Sequence, residues 1–259
     1  MRAVKIAIVT GASSGLGREF VRQIDEQEAL DEIWIVARRR DRLEELAETT
    51  RTRARILSLD LREKVSFETL SRLLAEKRPE VRLLVNAAGF GKIGSCRDAS
   101  LADCDGMIDL NCRASVDMTQ TALPYLFRGS RVLQICSTSA SQPFPYLNVY
   151  AASKAFLYRY SRALRVELLG EGIRVTAVCP YWVRDTEFIH KAQRAKNSAY
   201  IRSFPLASRA APVVQRALRD SALGLAVSTP GVVCTVHRVA AKILPGEVMM
   251  GVWALLRRL

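Results

Sequence analysis

The sequence lacks several features that would place it in other classes of protein. None of its six cysteines forms a Cys-x-x-Cys pair, and their spacing with the two histidines does not suit a metal site. No apolar run approaches the roughly 18 residues that a membrane-spanning helix needs. The chain enters a strand pattern almost at once, with no signal peptide before it. We therefore expect a cytoplasmic protein with free thiols and no metal.

Acidic residues are scarce relative to basic ones. The chain has 39 Lys and Arg against 26 Asp and Glu, a formal net charge of +13. Residues 187–259 contribute +8 of this, with eleven basic and three acidic residues. Such charge fits general solubility, an anionic substrate or an anionic membrane surface. No motif of a nucleic-acid-binding module accompanies it, so we expect no nucleic-acid partner.

The hydrophobic pattern alternates between strand and helix. A β-branched run at residues 4–9 is followed by Leu16, Phe20 and Ile24, which recur every four residues as on one face of a helix. This alternation continues along the chain and predicts an α/β fold, a doubly wound parallel sheet of about seven strands with helices on both faces. We expect one domain over residues 1–259 and a long helix over residues 101–127.

A glycine-rich turn joins the first strand to the first helix, with the sequence Thr10-Gly-Ala-Ser-Ser-Gly-Leu-Gly17. Glycine permits a tight turn and lets a pyrophosphate approach the backbone, while amides at the helix N-terminus face the phosphates. The turn therefore predicts a dinucleotide site, although a purely structural turn is the alternative. The predicted cofactor contacts here are Gly11, Ser13, Ser14, Gly15, Leu16 and Gly17.

The ends of the next two strands refine the cofactor prediction. The second strand ends in Arg38 and Arg39, where an acidic residue would bind a ribose 2′-hydroxyl and an arginine accepts a 2′-phosphate. NADP is thus favoured over NAD, unless the arginines form only a solvated run. Asp60 and Leu61 follow the third strand and could contact adenine, although Asp60 could equally be a turn former.

Three further segments place polar groups near the same edge of the sheet. The fourth strand runs into Asn86-Ala-Ala-Gly89, where small residues would let the backbone pass beneath a flat ring, or form an ordinary turn. We include Asn86, Ala87 and Gly89 among the cofactor contacts. Asn111 lies in the apolar middle of the long helix, as a structural bridge or a holder of a catalytic water. Ser137 ends the fifth strand, where α/β sheets bind ligands, with Ser139 and Ser141 as competitors, unless these serines only form a turn.

Tyr150 and Lys154 lie four residues apart, so their side chains share one face of a helix. A neighbouring ammonium favours the phenolate and would lower the pKa of the tyrosine toward neutrality. The pair could then act as a general acid and base toward a carbinol oxygen. A solvated helix face is the alternative.

Together these segments resemble the short-chain dehydrogenase/reductase family. The resemblance is carried by residues 10–17, Asp60, residues 86–89, Asn111, Ser137, Tyr150, Lys154 and residues 179–180. It implies a Rossmann-type fold and a catalytic tetrad. Tyr150 would be the general acid and base, Ser137 would bond the substrate oxygen, Lys154 would contact the nicotinamide ribose and lower the tyrosine pKa, and Asn111 would hold a water. Members of the family are commonly homodimers or homotetramers.

The chain departs from the family pattern after the sixth strand. Similar enzymes have Pro-Gly there, whereas here an aromatic pair follows Pro180. The predicted nicotinamide contacts are Pro180, Val183 and Thr186. Aromatic residues near the tyrosine suggest an apolar carbonyl substrate, such as a steroid-like or fatty ketone, unless they only pack the core. The predicted substrate contacts are Phe90, Ser139, Phe144, Tyr146, Tyr181 and Trp182.

The last third resembles the family less. Residues 187–203 would form a substrate lid, and residues 229–259 an amphipathic helical extension, with helices over residues 232–244 and 248–256. The extension would pack on its own domain or a second subunit, or lie peripherally on an anionic membrane.

The sequence therefore predicts an enzyme that interconverts a secondary alcohol and a ketone with NADP(H), acting on a small apolar substrate. The enzymatic alternative is a 3-oxoacyl thioester reductase, whose anionic carrier would suit the basic C-terminal third. Two alternatives are not enzymes, namely a nucleotide-sensing protein and a membrane-associated binding protein.

Overall fold

A parallel sheet of seven strands, in the order β3-β2-β1-β4-β5-β6-β7, forms the centre of the molecule. The computed structural model describes residues 3–193, 200–201, 204 and 206–257. The strands are β1 Lys5–Thr10, β2 Glu32–Ala37, β3 Arg53–Ser58, β4 Glu80–Asn86, β5 Arg131–Ile135, β6 Arg174–Val178 and β7 Val227–Ser228. The predicted doubly wound, Rossmann-type sheet is confirmed.

Helices cover both faces of this sheet. They are α1 Gly15–Gln27, α2 Arg40–Ala47, α3 Lys64–Lys77, α4 Leu101–Ile108, α5 Ala114–Ala122, α6 Asn148–Glu167, α7 Glu187–Ala192, α8 Ala210–Ala222, α9 Val232–Ile243 and α10 Gly246–Leu256. Ile6 and Ile8 of β1 pack with α3, α5 and α6 on one face. Ala7 and Val9 point to the other face, where they pack with α1, α2 and α8. Because both faces are buried, the strand reads as a continuous apolar run.

The long helix expected over residues 101–127 is interrupted. Between α4 and α5 the chain forms a π-helical turn at Asp109–Arg113, and after α5 a short 3₁₀ turn, Leu123–Tyr125, contains a proline. Asn111 lies in the π-helical turn with no solvent exposure. Its side chain bonds Ser153 of α6 and the backbone of Phe90, contacts that accompany the local change of helical register.

The order of the strands reverses at β1, which pairs with β2 on one side and β4 on the other. Such a reversal opens a crevice at the carboxyl ends of the strands. Here the Thr10 hydroxyl accepts hydrogen bonds from the amides of Ala87 and Ala88, both at 3.1 Å. Thr10 thereby fixes the segment after β4 against the glycine-rich turn after β1.

The C-terminal third carries the remaining helices. The predicted lid begins with α7, whereas residues 194–199, 202 and 203 of that prediction lie outside the described residues. Helices α9 and α10 lie where the extension was expected to be helical. Over the described ranges, none of the helices combines the length and the apolar character that crossing a membrane requires.

Candidate active site

One cavity of about 520 Å³ runs along the carboxyl edge of the sheet. Its two ends differ in composition. The glycine end is lined by Gly11, Ser13, Ser14, Gly15, Leu16, Gly17, Arg38, Arg39, Asp60 and Leu61. The aromatic end is lined by Phe90, Phe144, Leu147, Tyr150, Trp182 and Phe188. Between them the lining includes Ala87, Gly89, Ser137, Ser139, Lys154, Pro180, Tyr181, Val183 and Thr186.

The backbone at the glycine end leaves no room for side chains. Gly11 has φ of +69°, and a Cβ there would lie 2.8 Å from the amide nitrogen of Ala88. A Cβ on Gly17 would lie 2.3 Å from the carbonyl oxygen of Gly11. These positions require glycine for conformation and for close approach. The Ser14 side chain does not cap α1, so the amides of the first helical turn remain free to donate hydrogen bonds to an anion in the cavity.

Arginines and carboxylates form ion pairs at the edge of the glycine end. Arg39 donates to the Ser13 hydroxyl at 3.2 Å and to the Glu187 carboxylate at 3.2 Å. Arg38 lies 3.5 Å from Asp60, with 60% of its side chain exposed. The hydrogen bond from Arg62, at 2.7 Å, holds the pKa of Asp60 below its ordinary value. This edge therefore carries more positive than negative charge, and Arg38 has the freedom to turn toward an anionic group.

Arg62 and Glu187 were not among the residues predicted from the sequence. Arg62 also lines the cavity, and Glu187 lies at the first position of α7. Arg62 follows Asp60 by two residues, so the sequence did contain a local signal for the ion pair between them. The pairing of Glu187 with Arg39 joins residues 148 positions apart and has no local signal.

The two hydroxyl groups expected at the centre of the site do meet. Tyr150, in α6, and Ser137, after β5, both line the cavity and are buried, with Ser137 near enough to act on the pKa of the phenol. Ser137 also accepts a hydrogen bond from the amide of Ser139 at 3.2 Å, which orients its hydroxyl. The hydroxyl of Ser139 lines the same cavity and has no hydrogen-bond partner in the described part of the chain. Three hydroxyl groups thus lie where the glycine and aromatic ends join.

The predicted lowering of the tyrosine pKa by Lys154 is not seen among the protein's own side chains. Burial raises the pKa of Tyr150, and the nearby Ser137 side chain offsets this only in part. The Lys154 ammonium donates to the carbonyl oxygen of Ile135 at 2.7 Å and lies 5.9 Å from the centroid of the Tyr150 ring. Burial also lowers the pKa of Lys154. Tyr150 is therefore a neutral phenol at pH 7, suited to donating a proton.

Asn111 and Asn86 lie outside the lining of the cavity. The amide of Asn111 donates to Ser153 and to the carbonyl of Phe90, both at 2.9 Å, and its oxygen accepts from the Phe90 amide at 3.0 Å. The amide of Asn86 donates to Thr119 and Gln134, both at 3.0 Å. Both asparagines hold the walls of the site in place. The cofactor contact predicted for Asn86 is not supported by this geometry.

The segment after Pro180 reaches the glycine-rich turn despite its aromatic insertion. The Pro180 carbonyl accepts from the Thr138 amide at 3.0 Å. The Thr186 hydroxyl donates to the Val183 carbonyl at 2.9 Å and accepts from the Phe188 amide, as the N-cap of α7. A Cβ on Gly15 would lie 3.4 Å from Cβ of Thr186. Thr186 thus sits beside the glycine end.

Aromatic rings surround Tyr150 on the other side of the cavity. The ring of Phe188 lies 5.4 Å from that of Tyr150 and 6.2 Å from that of Trp182. Of the three lysines that line the cavity, Lys92 pairs with Asp103 and Lys191 with Glu187, whereas Lys154 donates to a backbone carbonyl. Of the residues at this end, Phe188 and Leu147 were missed by sequence reasoning, and the start of the predicted lid was the only signal for Phe188.

Tyr146 does not line the cavity, so its predicted substrate contact is not supported. Its backbone has φ of +68°, and its ring stacks on Tyr200 at 4.4 Å between centroids. The guanidinium carbon of Arg257 lies 4.1 Å from the centroid of the Tyr146 ring. These contacts turn Tyr146 toward the C-terminal helices.

Comparison with known proteins defines the class to which this fold and site belong. The sequence model of the family described as short chain dehydrogenase matches residues 5–197, more than half of the chain. The chain belongs to this family and is an oxidoreductase. The family assignment leaves the two non-enzymatic alternatives without support.

Individual relatives show how similar the chain is to particular members. Sulfoacetaldehyde reductase 2 of Chromohalobacter salexigens is 36% identical over 189 residues, 71% of this chain and 74% of that one. The NADP-dependent 3-hydroxy acid dehydrogenase YdfG of Escherichia coli K12 is 34% identical over 186 residues, with the same two coverages. A solved structure of serine dehydrogenase in closed form, complexed with NADP+, is 32% identical with a TM-score of 0.68, covering 81% of this chain and 86% of that one.

Proposed function

We propose that the protein is an NADP(H)-dependent oxidoreductase that interconverts a secondary alcohol and a ketone on an apolar substrate, hydroxysteroid-like or fatty. The observation that carries this proposal is the aromatic end of the cavity. It places Phe188 and Trp182 around Tyr150, while the nearby lysines are neutralised by carboxylates. A pocket of this kind favours apolar groups.

The glycine end fits a dinucleotide phosphate. A Cβ at Gly11 or Gly17 would fill the space that a pyrophosphate needs, and the amides at the start of α1 supply donors. Arg38 and Arg39 offer positive charge to a 2′-phosphate, and the relatives above include an NADP-dependent dehydrogenase and an NADP+ complex. When bound, the nicotinamide supplies or accepts the hydride.

Further residues hold the rest of the cofactor in this proposal. Asp60 and Leu61 would hold the adenine, Ala87 and Gly89 would contact the dinucleotide, and Lys154 would contact the ribose. Pro180, Val183 and Thr186 line the side where the carboxamide would lie. In this scheme Thr186, already packed beside Gly15, connects α7 to cofactor binding.

The chain's own residues move the proton. In reduction the neutral Tyr150 hydroxyl donates its proton to the substrate oxygen, and in oxidation it accepts one. Ser137, whose hydroxyl is oriented by the Ser139 amide, provides a second hydrogen-bond donor, so charge developing on the oxygen meets oriented groups. Asn111 acts indirectly by fixing Phe90, although the water-holding role that the family suggests for it stays a prediction.

A second candidate substrate is a small carbonyl compound with an anionic tail. The relatives named sulfoacetaldehyde reductase and 3-hydroxy acid dehydrogenase favour it, and Lys92 and Lys191 line the cavity. Both lysines would have to exchange their carboxylate partners, Asp103 and Glu187, for the substrate. We therefore rank this candidate second.

A substrate panel tests the proposal, with NADPH for the carbonyl compounds and NADP+ for the alcohols. The carbonyl compounds are a long-chain ketone, sulfoacetaldehyde and a 3-oxoacyl thioester, the alcohols are hydroxysteroids and 3-hydroxy acids, and turnover is followed by the loss or gain of NADPH absorbance. We expect kcat/KM for the best apolar compound to exceed that for any anionic one by at least about tenfold, the discrimination that roughly 1.4 kcal/mol provides. The opposite order would overturn the apolar assignment, and preference for the thioester would favour the reductase alternative.

A further inference from the structure

The outer face of α9 is aliphatic although it points to solvent. Val232, Val236, Val239 and Ile243 recur every three or four residues and so form one stripe along the helix. They are 78%, 61%, 52% and 73% exposed, respectively. A helix on the surface of a soluble protein normally turns such a stripe inward.

Helix α10 carries a second stripe of the same kind. Val248, Val252 and Leu255 are spaced by four and three residues and are 48%, 48% and 67% exposed. Leu244 between the helices and Leu256 near the end are exposed as well. We call α9 and α10 together the C-terminal hairpin, with its outer aliphatic face formed by the residues named here.

The inner face of the C-terminal hairpin is already occupied. Trp253 packs edge-on against Phe144, with ring centroids 4.9 Å apart, and donates to the carbonyl of Pro145 at 3.1 Å. Cys234 is buried, and His237 lies against Phe144 with centroids 5.7 Å apart. The outer face therefore lies opposite the side of each helix that makes the core contacts.

The charge around the outer face indicates what covers it. Lys242 is exposed and has no carboxylate partner among the described residues, and Glu247 is the only acidic residue after Asp220 in the whole sequence. Arg238 and Arg257 add positive charge behind this face, since the Nε of each is buried and the guanidinium of Arg257 lies on the Tyr146 ring. A second copy of the chain would bring the same basic rim against itself, since a two-fold interface pairs identical patches. An anionic lipid surface would instead neutralise the rim while the aliphatic side chains leave water.

We propose that the outer aliphatic face of the C-terminal hairpin docks on an anionic lipid surface, with the protein bound peripherally. Helices with an aliphatic face and basic flanks lie in the plane of the lipid interface in this way. The proposal does not depend on the substrate assignment. Docking would nevertheless bear on the substrate, because the inner face of the same hairpin supports the aromatic end of the cavity through the contact of Trp253 with Phe144.

Co-sedimentation of the full chain with vesicles tests the docking. We expect binding to vesicles of equal parts phosphatidylcholine and phosphatidylglycerol, at least about tenfold weaker binding to phosphatidylcholine alone, and weakening with added salt. Absence of binding to the anionic vesicles would overturn the proposal. Equal binding to both vesicle types would overturn the charge argument that selects lipid over a second copy.

Two double variants make the test specific. Val236→Asp with Ile243→Asp places carboxylates on the outer face at exposed positions and should lower the partition coefficient at least about tenfold. Val65→Asp with Leu101→Asp is the matched control. These two residues are 60% and 82% exposed on other surfaces, in first helical turns that tolerate acidic side chains. The control should bind vesicles like the parent.

The solution mass identifies the rival occupant. Sedimentation of the parent and the Val236→Asp, Ile243→Asp variant should give the same mass, and circular dichroism the same fold. A halved mass in the variant, with no vesicle binding by the parent, would show that a second copy covers the outer face and would overturn the proposal. Unchanged vesicle binding by the variant would overturn it as well.

Discussion

The two ends of the cavity recognise their ligands by different means. At the glycine end the backbone of contiguous residues supplies most of the contacts, because Gly11 and Gly17 let a ligand approach the amides and the start of α1. At the aromatic end, side chains from separate segments converge, with Phe90 after β4, Phe144 before α6, and Trp182 and Phe188 after β6. Local sequence dictates the first kind of site, whereas the second depends on how distant segments pack.

The ends also differ in electrostatics. The glycine end has an excess of arginine with one partly free guanidinium, Arg38. The aromatic end has its lysines paired and its central phenol neutral, since burial raises the pKa of Tyr150. In the proposed function the first end holds a charged cofactor and the second an uncharged carbonyl compound, and the variants that follow test each end and the junction.

Tyr150→Phe tests the junction of the two ends and should have the largest effect. Without the phenol no group donates the proton, so we expect kcat to fall by about a thousandfold or more, while the NADPH dissociation constant stays within about threefold. Tyr158→Phe on the same helix is the control and should retain activity. Steady-state kinetics and NADPH titration make the measurement. A Tyr150→Phe rate within a few-fold of the parent would contradict the role assigned to this residue.

Arg38→Ala combined with Arg39→Ala should change only the glycine end. Loss of the charge facing a 2′-phosphate should raise the NADPH dissociation constant by about ten- to a hundredfold and leave that for NADH nearly unchanged. Arg40→Ala, which removes an exposed partner of Glu44, is the matched control. Isothermal titration with both nucleotides measures the two dissociation constants. Equal weakening of NADPH and NADH binding would show that the arginines do not bind the 2′-phosphate.

Trp182→Ala should change only the aromatic end. Removing this ring opens the pocket beside Phe188 and Phe204, so KM for an apolar ketone should rise by about three- to tenfold. The NADPH dissociation constant should remain that of the parent. Trp34→Phe, buried on the sheet away from the cavity, controls for general loss of a tryptophan. An altered NADPH affinity in Trp182→Ala would show that the two ends are not independent.

His237→Leu should have the smallest effect, and this effect should be on the free energy of unfolding and not on the reaction rate. Burial lowers the pKa of His237, and neither ring nitrogen has a hydrogen-bond partner among the described residues. The unfolded chain therefore binds the proton more tightly, so the stabilisation is present above the unfolded pKa of about 6.5 and is lost as pH falls below it. His237→Leu should flatten this part of the curve in urea unfolding followed across acidic pH. His190→Leu is the control, and an identical slope in His237→Leu and the parent would contradict the prediction.

Sequence reasoning succeeded where partners are close along the chain. The glycine-rich turn after β1 and the Tyr150–Lys154 spacing on α6 were both identified from short stretches, because the geometry of a turn or a helix follows from adjacent residues. The seven-stranded sheet followed from alternation of strand and helix patterns in the same way.

Contacts between distant residues were harder to predict. Asn111 was expected as a structural bridge or as a water holder, but its partners Phe90 and Ser153, 21 and 42 positions away, had no local signal. Tyr146 turned out to stack on Tyr200 and Arg257 rather than line the cavity. Burial, which raises the pKa of Tyr150, is likewise reported by no local pattern.

By itself the sequence determined the order of strands and helices, the glycine turn that suits a dinucleotide and the pair of hydroxyl groups, Ser137 and Tyr150, around which chemistry can occur. These follow from backbone conformation and helical periodicity, which act over a few residues. Only the tertiary structure decided the protonation of Tyr150, the aromatic wall and the face of the C-terminal hairpin that meets solvent. Those depend on burial and on contacts between distant segments, since desolvation and packing arise only once the chain has folded.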